Sequence, residues 1–268
     1  MVTLGPPGAG KSSTVETLRS QKPVCVGCKT EVADLRKLDL TPDDSLQVFD
    51  EGGDDVYKIT SPIFNTPKSI PMLVHDMTKV DGTLSSSADI LRQNLLLHPE
   101  NQVLVVLTHI DKCNVASRKE NQDFILSCFS NVIDKEIQLL KASQTDAESN
   151  RKRIIALLEK QKTKLRCFPI SCNTYEGVKE LRDFLQTIVQ QRRIVLPQSW
   201  LQFYKVMMTE DYSFFRKLYL RTMFSKVRED FKDSGQLDSQ FLQALVYFAD
   251  VGLILYYKNV IVKGAEVR

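Results

Sequence analysis

No run of apolar residues in this 268-residue chain approaches the roughly 20 needed to cross a bilayer, so a transmembrane segment is not expected. No secretory apolar stretch opens it either, since Met1-Val2-Thr3-Leu4 runs straight into Gly5-Pro6-Pro7, and a cytoplasmic protein is the expectation. Charge of one sign is scarce: 36 basic against 33 acidic residues leave +3, far short of the basic stripe that a phosphate backbone demands. No nucleic-acid role is expected. Low-complexity tracts and repeats at solenoid spacing are absent, which sets aside a largely disordered chain and a repeat array. The six cysteines (Cys25, Cys28, Cys113, Cys128, Cys167 and Cys172) do not read as a disulfide framework without a secretory context. Cys25-Val26-Gly27-Cys28 has zinc-ligand spacing but no second pair, and its nearest histidine is His75, so it reads as an ordinary loop.

What is present is the composition of a globular protein, 43% apolar and 26% charged, long enough for two domains with a core each. Apolar runs at Met1–Leu4, Leu46–Asp50, Ile70–His75, Val103–Thr108 and Arg166–Ser171 read as buried strands separated by longer helical patterns. That alternation predicts an α/β fold with a parallel sheet flanked by helices. Between Asn114 and Leu165, Phe124, Ile125, Phe129, Val132 and Ile133, then Ile154, Ile155, Leu157 and Leu158, recur at helix-face spacing and predict two surface helices. The basic residues of Arg151–Arg166 read as a solvated helix face. After Arg193, Leu196-Pro197 breaks the pattern and an aromatic-rich segment starts at Trp200, which divides the chain into 1–193 and 194–268. The second part reads as a smaller, mainly helical α+β segment. Its expected helices are Gln198–Met208, Tyr212–Lys226 and Ser239–Phe248, with a hairpin over Leu253–Val262.

The chemistry is concentrated in four short strings. Gly5-Pro6-Pro7-Gly8-Ala9-Gly10-Lys11-Ser12 fits the phosphate-loop pattern G-x-x-x-x-G-K-[ST] and stands between a strand and the helical pattern Ser13–Ser20. Such a loop needs backbone N–H groups free to point at phosphates, a helix N-terminus with its partial positive charge, and a lysine for the β- and γ-oxygens. Pro6 and Pro7 have no N–H, so the donors come from Gly8, Ala9, Gly10 and Lys11 onward into Ser12 and Ser13, and the Ser12 hydroxyl serves Mg²⁺. The strand Leu46–Asp50 ends in an acid that can hold Mg²⁺ through water, and Gly53 can offer its N–H to a γ-phosphate. In Thr108-His109-Ile110-Asp111, Asp111 can accept from guanine N1–H and N2–H₂; adenine has no N1–H to give. A backbone N–H of Ser171-Cys172-Asn173 can reach guanine O6. Order and spacing together favour GTP with Mg²⁺ over ATP.

With these strings in place, the chain resembles the Roc GTPase domain followed by a COR domain, as found in Roco proteins such as the leucine-rich-repeat kinases. The resemblance rests on Gly5–Ser12, Phe49–Tyr57, Thr108–Asp111, Leu196-Pro197 and Gly252–Tyr257, and it covers nearly the whole chain. It implies a small-GTPase-like sheet, a GTP/GDP switch, and Thr30 as the switch-one threonine that closes on Mg²⁺ and γ-phosphate. Lys11, Thr30, Gly53 and Asp54 become the residues implied for the reaction, and Ser12, Thr30 and Asp50 those implied for the metal. The resemblance further implies a homodimer formed through the COR part or the nucleotide site, and neighbouring domains in a larger parent protein. The short first strand and the short COR-like part are both expected of a segment of such a parent.

One departure bears on function: the family often carries Gln after the second Gly of the Asp-x-Gly-Gly stretch, and this chain has Asp54. A carboxylate is shorter than Gln and carries the charge of the γ-phosphate, so it orients water poorly. Three readings stay open at this point: a slow GTPase switch, a non-hydrolysing nucleotide-dependent scaffold or dimerisation module, and a P-loop ATPase or small-molecule kinase in which Asp111 is a structural turn residue.

Overall fold

The structure is a computed structural model and describes residues 1–24, 33–42, 44–52, 65–79, 82–143, 148–192, 196–210, 214–227, 234–251, 253–257 and 260–263. The chain divides into two compact units, Met1–Gln191 and Arg192–Arg268. The first is an α/β unit. Its strands β1 (Val2–Leu4), β2 (Ala33–Asp39), β3 (Ser45–Glu51), β4 (Pro71–Asp76), β5 (Leu104–Thr108) and β6 (Arg166–Pro169) form one sheet in the order β2-β3-β1-β4-β5-β6. Every pairing is parallel except β2 with β3, an antiparallel hairpin at the sheet edge. Strand β2 escaped the sequence reading because Ala33-Asp-Leu-Arg-Lys-Leu-Asp39 carries charge at four of its seven positions, as an edge strand tolerates and a buried one does not.

The helices are α1 (Lys11–Ser20), α2 (Leu84–Leu97), α3 (Val115–Ala142), α4 (Glu148–Lys164) and α5 (Val178–Gln191). Helices α3 and α4 are the pair expected between Asn114 and Leu165. Central strands are buried on both faces, so alternate side chains feed two cores. Met72, Val74, Leu104 and Val106 meet Val15 and Leu18 of α1 with Val178, Leu181 and Leu185 of α5. Leu73, Val105 and Leu107 meet Leu91 of α2, Ile125, Phe129 and Ile133 of α3, and Leu158 of α4. Arg182 of α5 is a buried staple: its guanidinium donates to the carbonyls of Leu18, Asp39 and Leu40, satisfying the end of α1 and the turn of the β2–β3 hairpin.

His75 of β4 is one of the buried polar strand residues. Its Nδ1 lies 2.9 Å from Ser87 Oγ, while Nε2 has no hydrogen-bond partner among the described residues. Burial lowers its pKa, against the pull of Asp76 and together with Lys79. A folded-state value below the unfolded one means that the stabilising contribution is complete above about pH 6.5 and is lost as pH falls below it. The Tm of the wild type is therefore expected to fall between pH 7 and pH 5 more steeply than that of His75→Gln; parallel pH profiles would reject the assignment.

The second unit contains α6 (Gln198–Thr209), β7 (Phe214–Arg216), α7 (Lys217–Val227), α8 (Ser234–Asp250), β8 (Ile254–Tyr257) and β9 (Val260–Lys263). Helix α7 is shorter than the expected Tyr212–Lys226 because Phe214–Arg216 is a strand, paired antiparallel with β9. The hairpin expected over Leu253–Val262 is β8 against β9. Phe203 is fully buried and meets Phe224 and Phe241 edge-on, so the aromatic residues there make a core, as expected. No helix among the described residues is long and apolar enough to cross a membrane.

Candidate functional site

In an open α/β sheet the ligand crevice lies at the carboxyl ends of the strands, where the connections reverse direction. Here that point is β1, whose neighbours are β3 on one side and β4 on the other. The loop Gly5–Gly10 leaves β1 there and turns into α1. Gly5 has φ 142°, and a Cβ on it would lie 2.2 Å from the carbonyl oxygen of Val74, so β4 leaves room only for glycine. Gly10 has φ 90° and is the N-cap of α1, with no side chain to cap it, so the helix opens directly from the loop. Ala9 and Lys11 are buried. Lys11 Nζ donates to the carbonyls of Gly5 (2.8 Å) and Pro6 (3.1 Å), so its charge is folded over the loop.

The Thr108 hydroxyl donates to the carbonyl of Ala9 (2.7 Å), which ties the end of β5 to the loop. His109 is left-handed (φ 60°), with Nδ1 3.0 Å from Thr108 Oγ1 and 3.4 Å from Asp76 Oδ1. Asp111 sits in a short 3-10 turn, Ile110–Lys112. Its Oδ2 accepts from Asn173 Nδ2 (3.1 Å), whereas Oδ1 is buried and has no partner among the described residues. Burial works against its charge, but the neighbouring Ser171 hydroxyl and the bond from Asn173 outweigh burial and hold its pKa below the usual carboxylate value. Gly10, Ser13, Thr108, His109, Asp111, Cys172 and Asn173 all line one cleft of about 350 Å³. Three strings more than sixty residues apart in sequence thus share one space.

Asp50 at the end of β3 pairs in register with Thr3 of β1 and is fully buried. Thr3 Oγ1 donates to Asp50 Oδ1 (3.1 Å); Oδ2 has no hydrogen bond among the described residues, and Arg36 Nη2 lies 3.6 Å from it. A buried carboxylate oxygen without a hydrogen bond fits a site for a divalent cation or its water, with Ser12 at the head of α1 as the second protein group. Among the described residues no cluster of three or more His, Cys, Asp or Glu could hold a metal alone, so phosphate oxygens would have to complete the shell. Thr30, Gly53 and Asp54, and likewise Cys25 and Cys28, lie outside the described residues.

The sequence reading missed Asp76. It is buried at the end of β4, accepts from the backbone N–H (3.0 Å) and hydroxyl (2.7 Å) of Thr78, and stands beside His109 and, at 3.5 Å, Lys79. Burial disfavours its charge, but the hydrogen bonds from His109 and Thr78 hold the carboxyl far below the usual range. An acid closing an apolar strand is the signal that found Asp50, and it was there in Leu73-Val74-His75-Asp76 too. Burial raises the Cys113 thiol and pushes that of Cys167 up to about 12, away from the reactive thiolate form.

No family model and no curated protein matches the sequence. Among solved structures, the RocCOR structure of Roco2 from Methanosarcina barkeri, bound to GDP, is similar with a TM-score of 0.66 and 18% identity, covering 98% of this chain and 71% of that one. The small GTPase Arl6 from Trypanosoma brucei, bound to the nucleotide analogue GppNp, gives a TM-score of 0.46 at 14% identity over 72% of this chain and 97% of that one. The chain has the RocCOR fold, the one its motifs predicted.

Proposed function

We propose that the chain is a guanine-nucleotide-binding switch of Roco type that binds GTP and GDP with Mg²⁺ and hydrolyses GTP slowly. The observation that supports it most is the convergence of the phosphate loop, Thr108–Asp111 and Ser171–Asn173 on one cleft, with a partnerless buried oxygen on Asp111. A carboxylate with one oxygen held by Asn173 and the other free suits the paired N1–H and N2–H₂ of guanine. His109, held by Asp76, offers a flat ring on the wall of the same cleft. Gly8, Gly10 and Lys11 would supply N–H donors, the Ala9 N–H being turned to the Pro6 carbonyl at 3.3 Å, and the Lys11 ammonium would swing from the carbonyls of Gly5 and Pro6. Ser12 and Asp50 would hold Mg²⁺, with Thr30 joining them when triphosphate is bound. Mg²⁺ supplies charge neutralisation at the β- and γ-oxygens. Identifying the nucleotide released when the purified protein is denatured tests the reading. GDP or GTP is expected; an adenine nucleotide would sink it in favour of a P-loop ATPase or small-molecule kinase.

Asp54 favours a second reading, a scaffold or dimerisation module whose state follows the nucleotide with negligible hydrolysis. Under the switch reading, Asp54→Gln is expected to raise phosphate release several-fold in single-turnover assays with excess protein, because Gln restores a neutral group that can orient water. An unchanged rate would reject water orientation as the defect, and no release from either form would leave the scaffold. Coupling to COR-mediated dimerisation and to neighbouring domains belongs to the same proposal.

A further inference from the structure

The edge strand β2 brings one cation to the acid of the metal site. Arg36 is paired across the hairpin with Val48, diagonal to Asp50, and its guanidinium serves three carboxylates from three elements. Nε donates to Asp34 Oδ2 of its own strand (2.8 Å), Nη1 lies 3.7 Å from Glu16 Oε2 of α1, and Nη2 lies 3.6 Å from Asp50 Oδ2. Asp50 Oδ1 is already used by Thr3, so Oδ2 is the oxygen left for a cation or its water. Resting on the nucleotide reading above, we infer that Arg36 is a positioning residue that competes with Mg²⁺ for Asp50 Oδ2 and thereby sets the Mg²⁺ concentration at which nucleotide is retained.

The competition is electrostatic. Asp50 is fully buried, so its charge needs a counter-ion, and a single guanidinium just beyond hydrogen-bond distance supplies it. A divalent ion held through the same oxygen would sit close to that guanidinium, and the two like charges repel with little water between them. Asp34 and Glu16 draw the Arg36 charge sideways and moderate the effect. The removal of Arg36 and the removal of Asp34 are therefore expected to act in opposite directions.

The test follows release of a fluorescent GDP from the full chain as free Mg²⁺ is varied. Arg36→Gln is expected to lower the Mg²⁺ concentration that half-maximally slows release by about tenfold, the effect of a single nearby charge. Arg36→Lys keeps the charge and is expected to stay near the wild-type midpoint. Asp34→Asn, at an exposed side chain whose loss the fold tolerates, is expected to raise the midpoint severalfold. A purely structural Arg36 would change release equally with and without Mg²⁺ and leave the midpoints in place. That result, or a raised midpoint in Arg36→Gln, overturns the inference while the nucleotide reading stands. A wild-type chain that retains no fluorescent GDP overturns both.

Discussion

Asp111→Ala is expected to erase the preference for GTP over ATP. Under the proposed function the carboxylate accepts two hydrogen bonds from guanine, each charge-assisted and each worth roughly 1.5–3 kcal/mol, so GTP affinity should fall by about two to four orders of magnitude. ATP never gains those bonds and should bind about as before. The side chain is a safe one to remove, since its one hydrogen bond to a side-chain amide, that from Asn173, is at the surface. Competition of GTP and ATP against a fluorescent nucleotide measures both affinities in one series. If the variant kept a strong preference for GTP, the base would have to be read elsewhere, and Asp111 would revert to a turn residue that anchors Asn173.

Gly5→Ala should be among the most damaging single methyls in the first unit, beside Gly177→Ala, whose Cβ would lie 2.1 Å from the Pro169 carbonyl oxygen. At φ 142° an L side chain is strained wherever space allows, and here the new Cβ would meet the Val74 carbonyl at 2.2 Å, about an ångström inside contact. Neither partner can yield cheaply: Val74 is fully buried, and its strand is bonded to β1 on one side and β5 on the other. A loss of roughly 3 kcal/mol or more is expected, lowering Tm by about 6–12 °C for a unit of this size, together with loss of nucleotide binding. Tm and binding measured on the same preparation check it. A variant with wild-type values for both would mean that the loop does not cross β4 as closely as described.

The parallel strands were legible because burial on both faces writes a continuous apolar run, as in Leu104–Thr108, and the phosphate loop because its glycines answer steric demands that few other residues meet. The long helix pair was legible through its period. Strand β2 was not, since an edge strand beside solvent keeps its charges and shows no period-2 apolar face. That the strings Thr108–Asp111 and Ser171–Asn173 lie together was expected only from their order after the loop. Nothing local says that the Thr108 hydroxyl would turn to Ala9 instead of outward, or that Asn173 would hold Asp111. Asp76 carries the same acid-after-strand signal as Asp50, but its pairing with His109, like that of Arg36 with Asp50, is set by the sheet order, which a single sequence does not print.

Arg182 carries a consequence for direction. In a β-ribbon, sliding one strand by a single residue turns every side chain to the opposite face. The guanidinium grips the carbonyls of Asp39 and Leu40 at the hairpin turn and that of Leu18 at the end of α1, so the ribbon is moored at its far end to the helix that begins with Lys11 and Ser12. How β2 lies against Asp50 is therefore held at Asp39 and Leu40, eleven and ten residues before that acid, by a side chain of α5, while β1 holds Asp50 itself through Thr3. Slackening that mooring would turn Arg36 and Asp34 away from Asp50 without altering any residue of the Gly5–Ser12 loop.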